Sequence, residues 1–164
     1  MKKLILSLLV AAFVGGNTLS AQTITKNEDG KYSLSVGHVT LTVDAQKGGK
    51  IVSYRYDDKE ILSQTKIPNS FGSTFWTSPQ SEWNWPPVPE YDTKPFNAEV
   101  AGDKLILTGE KSKRFGYRVR KELTTDKKDN AIVITYTIIN ESGETRKVAP
   151  WEISRVPNGG ILFF

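Results

Sequence analysis

From Val39 onward the chain is written in a two-residue period. Val39, Leu41 and Val43 alternate with His38, Thr40, Thr42 and Asp44, the pattern of a strand with one buried face. Gly48-Gly49 supplies a turn, and Lys50 to Tyr56 reads as the next strand. Asp57-Asp58-Lys59 leads into Glu60-Ile61-Leu62 and closes a hairpin. Ala98 to Val100 and Lys104 to Thr108 flank a turn at Gly102-Asp103. Tyr117, Val119 and Leu123 alternate with Arg118, Arg120 and Glu122. The run Ile132 to Ile139 is apolar on both faces, so it is expected to be a central strand. Arg146 to Ser154, after the turn at Asn140-Glu141-Ser142-Gly143, is expected to form another. No segment after residue 22 carries a 3.6-residue apolar period. The predicted fold class is all-β, an antiparallel β-sandwich, with one domain over residues 22–164.

The start of the chain follows different rules. Met1-Lys2-Lys3 is basic, Leu4 to Val14 is apolar apart from Ser7, and Leu19-Ser20-Ala21 offers a small-residue cleavage site. This is the layout of a secretory signal peptide, read here as residues 1–21. The apolar run is too short for a membrane span, which needs about 20 residues. The expectation is an exported chain, periplasmic or secreted, with no membrane attachment after cleavage. Removing 21 of 164 residues leaves 143, and the loss of Lys2 and Lys3 takes the formal net charge from +4 to +2. That balance does not predict a nucleic-acid partner. The local basic cluster Lys111, Lys113, Arg114, Arg118, Arg120 and Lys121 reads as the solvated face of a strand with its loop. Cysteine is absent and His38 is the sole histidine, so disulfides are excluded and neither a metal site nor a cofactor is expected. The chain ends in the apolar run Gly159-Gly160-Ile161-Leu162-Phe163-Phe164. Because all-β sandwiches often run to roughly 200–250 residues, the expected reading is a domain truncated at its C-terminus.

One segment breaks the alternation. Phe71 to Pro89 holds Trp76, Trp83 and Trp85, three of the chain's four tryptophans, together with Pro79, Pro86, Pro87 and Pro89. Those prolines exclude a long helix and argue against a central strand. Gln80, Ser81, Glu82 and Asn84 lie between the rings. Flat apolar rings beside hydrogen-bonding side chains suit a sugar, which has apolar C–H faces and a rim of hydroxyls.

The second feature is Pro150-Trp151-Glu152-Ile153-Ser154-Arg155. On a regular strand Trp151, Ile153 and Arg155 share one face, and Glu152 and Ser154 the other. Glu152 has two readings, a sugar contact or acid/base on one side and an ordinary strand carboxylate on the other. Glu82, Glu90 and Asp92 are the remaining acids near the tryptophans. A glycosidase needs two carboxylates at a set separation, which spacing along the chain does not give. His38 reads as a surface strand residue. There is no Gly-x-Ser-x-Gly elbow, phosphate loop or dinucleotide fingerprint.

Two stretches carry a family resemblance. Gly48-Gly49-Lys50-Ile51-Val52-Ser53-Tyr54 followed by Asp58-Lys59-Glu60-Ile61-Leu62 resembles the opening of galactose mutarotase-like (aldose 1-epimerase-like) domains. Tyr136 to Asn140 with Val148-Ala149-Pro150-Trp151 resembles the middle of the same fold. The tryptophan segment and Ala149 to Pro157 look closer still to a bacterial, Bacteroidetes-type family within that superfamily. The resemblance covers roughly residues 33 to 164. It implies a β-supersandwich whose concave sheet binds carbohydrate. Epimerases of this fold use a His as acid and a distant Glu as base. Laid on Pro150 to Pro157, the expected His position falls at Val156, beside Arg155.

The expected function is therefore an exported, non-catalytic carbohydrate-binding protein. Its expected contacts are Trp76, Gln80, Glu82, Trp83, Trp85, Trp151, Glu152 and Arg155, with a mono- or oligosaccharide as the partner. The alternative is a carbohydrate-active enzyme, an epimerase, lyase or hydrolase, with Glu152 as the candidate catalytic acid or base. A third reading is a protein-docking role for the tryptophan segment in an exported assembly.

Overall fold

The computed structural model describes residues 24–161 apart from residues 66, 68 and 69. The leader assigned to residues 1–21 and the last three residues of the apolar C-terminal run lie outside the described residues. The strands are β1 (Ile24–Lys26), β2 (Tyr32–Val36), β3 (Val39–Asp44), β4 (Lys50–Tyr56), β5 (Lys59–Glu60), β6 (Ser73–Ser78), β7 (Asn97–Ala101), β8 (Lys104–Thr108), β9 (Tyr117–Asp126), β10 (Ala131–Asn140) and β11 (Ala149–Ser154). A 3-10 turn (Gln80–Glu82) and the short α1 (Pro89–Asp92) lie between β6 and β7. One sheet runs β1-β2-β3-β4-β6-β11 with β5 on β4, and the other runs β10-β9-β8-β7. All pairings are antiparallel. The molecule is an all-β sandwich, as its period predicted.

The inward residues are those the alternation singles out. Leu41 and Val43 of β3 meet Tyr117, Val119 and Leu123 of β9 and Leu105 and Leu107 of β8 in one core. Burial of such side chains contributes about 1.5–3 kcal/mol each. Between Thr42 and Val43 the β3–β4 register shifts by a bulge, the local kink that an extra residue imposes.

Three expectations are corrected. The tryptophan segment contains a strand after all: β6 ends at Ser78, directly before Pro79, and lies between β4 and β11 with both faces covered. The prolines exclude a strand only from residue 79 on. β10 is an edge strand among the described residues, not a central one. Its Ile132, Ile134, Tyr136 and Ile138 are half-buried against the core, while Val133 on the other face is exposed. Apolar faces report what covers a strand from above and below, and they carry no information on what pairs beside it. His38 lies in the turn between β2 and β3, where Nδ1 is 2.6 Å from Asp57 and the ring stacks on Tyr56.

Lys121 is a fourth correction: it is only 3% exposed, so it belongs to the core and not to a solvated basic face. It occupies the inward register between Val119 and Leu123 on β9. Its ammonium donates to the carbonyls of Gly48 (2.8 Å) and Gly49 (2.9 Å) in the β3–β4 turn. The faces of Phe96, Tyr136 and Phe75 lie 5.3–5.9 Å away. Burying an ammonium costs several kcal/mol, and charge-assisted hydrogen bonds with cation–π contacts offset that cost. Gly48 itself has φ +64°, and a Cβ there would stand 2.3 Å from the Asp92 carbonyl oxygen. The turn therefore accepts no side chain at this point.

Two outcomes are expected. Gly48→Ala should lower stability by about 3 kcal/mol or more, through left-handed strain plus the clash. Lys121→Met should cost about 2 kcal/mol at pH 7, because two buried carbonyls lose their donor. Burial pushes the Lys121 amine down to about 8 from an ordinary 10.5, against the pull of Glu152 and Asp92. Between pH 8 and 10 the unfolded chain then holds more protons than the native one, so native stability rises with pH. Above pH 10 the buried Tyr91 and Tyr117 and the half-buried Tyr136, whose hydroxyls are held above their usual value, act with the opposite sign. Urea midpoints across pH 7.5–9.5 should climb in the native protein relative to Lys121→Met.

Candidate functional site

The site grows from the pairing of β6 with β11. The register sets Trp151 opposite Trp76, Glu152 opposite Phe75, Ile153 opposite Thr74 and Ser154 opposite Ser73. Phe75 stacks on Tyr136 of the other sheet at 4.7 Å and 10°, so Phe75, Ser73, Glu152 and Ser154 face into the sandwich. Alternation then places Thr74, Trp76, Trp151, Ile153 and Arg155 on the outer face. This is the division of Trp151, Ile153 and Arg155 from Glu152 and Ser154 that the strand period predicted.

The segment after β6 folds back over the outer face. Pro79 opens the 3-10 turn, the Trp83 amide donates to Gln80 (3.1 Å), and Asn84 takes the left-handed φ of +57° that redirects the chain. Arg114 fastens the turn by donating to the Glu82 carbonyl at 3.1 Å. Pro89 begins α1, where its missing N–H costs nothing. Trp83 ends 3% exposed, with its indole N–H donating to the Thr77 carbonyl at 2.9 Å. Trp76 is 8% exposed and donates to Asp92 Oδ1 at 2.8 Å. Trp83, Trp85 and Trp151 each meet Trp76 edge-on, at 5.8, 5.9 and 5.6 Å. Trp85 is 69% exposed. Trp83 thus plugs the core, Trp76 forms a floor, and Trp85 stands as a free wall.

Between floor and wall lies a cavity of about 420 Å³ lined by Trp76, Trp85, Pro86, Asp92, Arg155 and neighbouring residues. That size is within the usual range of ligand sites, as is an apolar lining with few polar groups. The Arg155 guanidinium carbon sits 5.9 Å over the Trp76 ring, and Nη1 donates to Thr74 Oγ1 at 3.2 Å. Lys50 of β4 was not singled out by the sequence. It is 5% exposed, its ammonium stands 4.2 Å over the Phe71 ring, and its pKa is lowered by burial first and by Arg155 second.

Of the expected contacts, Trp76, Trp85 and Arg155 are brought together at the cavity. Trp83 is behind it. Gln80 and Trp151 line a separate open groove of about 430 Å³ with Pro79 and Pro150. Glu82 turns away from the cavity: its Oε2 is buried without a partner, and its charge acts on the Tyr117 hydroxyl, which burial already raises. Glu90 pairs with Lys94 at 3.1 Å. Glu152 lies on the opposite face of the sheet. It accepts from the Ser73 hydroxyl, and its charge acts on Lys121 and, after burial, on the Tyr136 hydroxyl, which is raised. Among the described residues no group of three His, Cys, Asp or Glu is placed to hold a metal.

No protein-family model matches the chain, and no curated protein matches it. Among solved structures, the chain is similar to 4-alpha-glucanotransferase from Thermococcus litoralis, with a TM-score of 0.45 and 15% identity. The likeness covers 70% of this chain and 23% of that one, so the chain spans under a quarter of that protein's length. A likeness at this level carries no argument about activity.

The different burial of the tryptophans predicts different costs. Trp83→Ala should lose about 3–5 kcal/mol of stability, the range for emptying a core site of this size. Trp85→Ala should lose less than about 1 kcal/mol. Chemical denaturation of the two variants checks both, and acrylamide should quench wild-type emission far more than Trp85→Phe emission.

Proposed function

We propose that this protein is an exported, non-catalytic carbohydrate-binding protein of galactose mutarotase-like fold, with its sugar site in the cavity between Trp76 and Trp85. One observation carries the reading. Trp85 leaves 69% of its surface exposed beside a cavity whose polar groups are Asp92, Ser70, Thr93 and Arg155. A large exposed ring beside hydrogen-bonding groups is where the C–H face of a pyranose and its hydroxyls are both accommodated. The mutarotase-like part rests on the motifs from Gly48 to Leu62 and from Tyr136 to Trp151. Export, to the periplasm or beyond the cell, rests on Met1 to Ala21.

Two features favour binding over chemistry. Val156 occupies the position where epimerases of this fold carry His. Among the described residues Asp92 is the one carboxylate lining the cavity, and one of its oxygens is held by the Trp76 indole, so those residues offer no carboxylate pair to flank a bound sugar. The enzyme reading is favoured by a different cluster, Glu152 with Ser73, Tyr136 and Lys121 on the inner face. If that cluster works, anomer exchange followed by NMR should fall in Glu152→Gln.

The binding reading is tested by titrating neutral and acidic glycans, followed by tryptophan emission and calorimetry. Binding is expected, and Trp85→Ala should weaken it about ten-fold or more while leaving the denaturation midpoint near that of wild type. Folded protein that binds no member of such a panel refutes the proposal.

A further inference from the structure

The charge around the cavity is unbalanced. Arg155 forms no ion pair among the described residues, and neither does Lys50. The Arg155 guanidinium has five N–H donors; the bond to the Thr74 hydroxyl is the one hydrogen bond its side chain donates among the described residues. Lys50 is almost fully covered, and its charge lies close enough to Arg155 and to Lys47 to be destabilised by both. Asp92 is the one acid that acts on Lys50 in return, and it already accepts from Trp76. Among the described residues lining the cavity, Arg155 is the cation and Asp92 the carboxylate, and Lys50 adds a second, nearby positive charge. Unpaired charge held in a half-covered site is costly unless something binds it.

The aromatic wall supplies the apolar side of the site. Trp85 can cover the apolar face of a ring, while Arg155, whose guanidinium has N–H donors beyond the one given to Thr74, lines the same cavity. A planar guanidinium matches the two oxygens of a carboxylate or a sulfate. Lys50, outside the lining, adds a compact positive charge close enough to interact with that of Arg155. We infer that the ligand of this cavity is an anionic saccharide, whose carboxylate or sulfate ester is held by Arg155, with the charge of Lys50 nearby, while Trp85 stacks on the sugar ring. This deepens the carbohydrate-binding reading of the same site and rests on it.

Matched saccharide pairs separate the two ideas. Oligomers of galactose and of galacturonic acid, and a neutral glycan with its sulfated form, are titrated into the mature protein by calorimetry at 50 and 500 mM salt. The anionic member of a pair should bind at least ten-fold more tightly at low salt, with the margin shrinking at high salt. Arg155→Gln, checked for folding by circular dichroism, should abolish the margin by lowering the affinity of the anionic member to that of the neutral one. Trp85→Ala should weaken both members. The uronate and sulfate arms decide which anion is preferred. Equal affinity for both members of each pair, unchanged by Arg155→Gln, overturns the anionic inference and leaves the sugar reading standing. No binding of either member overturns both. Inorganic sulfate binding as tightly as the sulfated glycan, and unaffected by Trp85→Ala, overturns the saccharide part.

Discussion

The ammonium of Lys121 connects the parts that everything else depends on. It reaches from β9 across the core to the carbonyls of Gly48 and Gly49, the turn that joins β3 to β4. That turn lies against α1 so closely that Gly48 can carry no Cβ, and the Gly48 amide donates to Lys94 just beyond α1 at 2.9 Å. α1 in turn presents Asp92, which fixes the Trp76 indole. One buried cation thus ties the smaller sheet to the larger one and, through two further contacts, to the floor of the candidate site. An apolar residue at 121 would fill the space but leave two carbonyls without donors.

The tryptophans divide their labour by burial. Trp83 and Trp76 spend their indole N–H groups on Thr77 and Asp92, so both are held in one orientation by hydrogen bonds as well as packing. A rigid floor allows a ring above it to stay exposed without collapsing onto the core, which is the situation of Trp85. The Phe75–Tyr136 stack plays the matching role inside the sandwich. It holds β6 against β10 and orients Glu152 and its hydroxyl partners away from the tryptophans.

Much of this was legible along the chain. The strands β4 and β8 have the limits that alternation and turn residues predict, because side-chain period and turn chemistry are local. The two faces of β11 were readable for the same reason. β6 was hidden because its two faces are both covered and its end abuts Pro79, so neither alternation nor a clean boundary announced it. Lys121 left a signal that went unread: it falls in the same register as Tyr117, Val119 and Leu123, which makes it inward on a regular strand. Its charge argued for a surface, and its position argued for the core; the core position holds because two carbonyls and three ring faces compensate the charge.

The sequence by itself determined the all-β class, the strand faces and the segment in which aromatic and polar groups are interleaved. These follow from backbone geometry that acts over a few residues. Only the tertiary structure decided which tryptophan is free, that Glu82 and Glu152 turn away from the cavity, and that Arg155 lines it with the charge of Lys50 nearby. Those outcomes depend on pairing between β6 and β11, which are about 70 residues apart, and on a turn that approaches α1 through a glycine. Long-range register and close backbone contact have no periodic trace in a single chain.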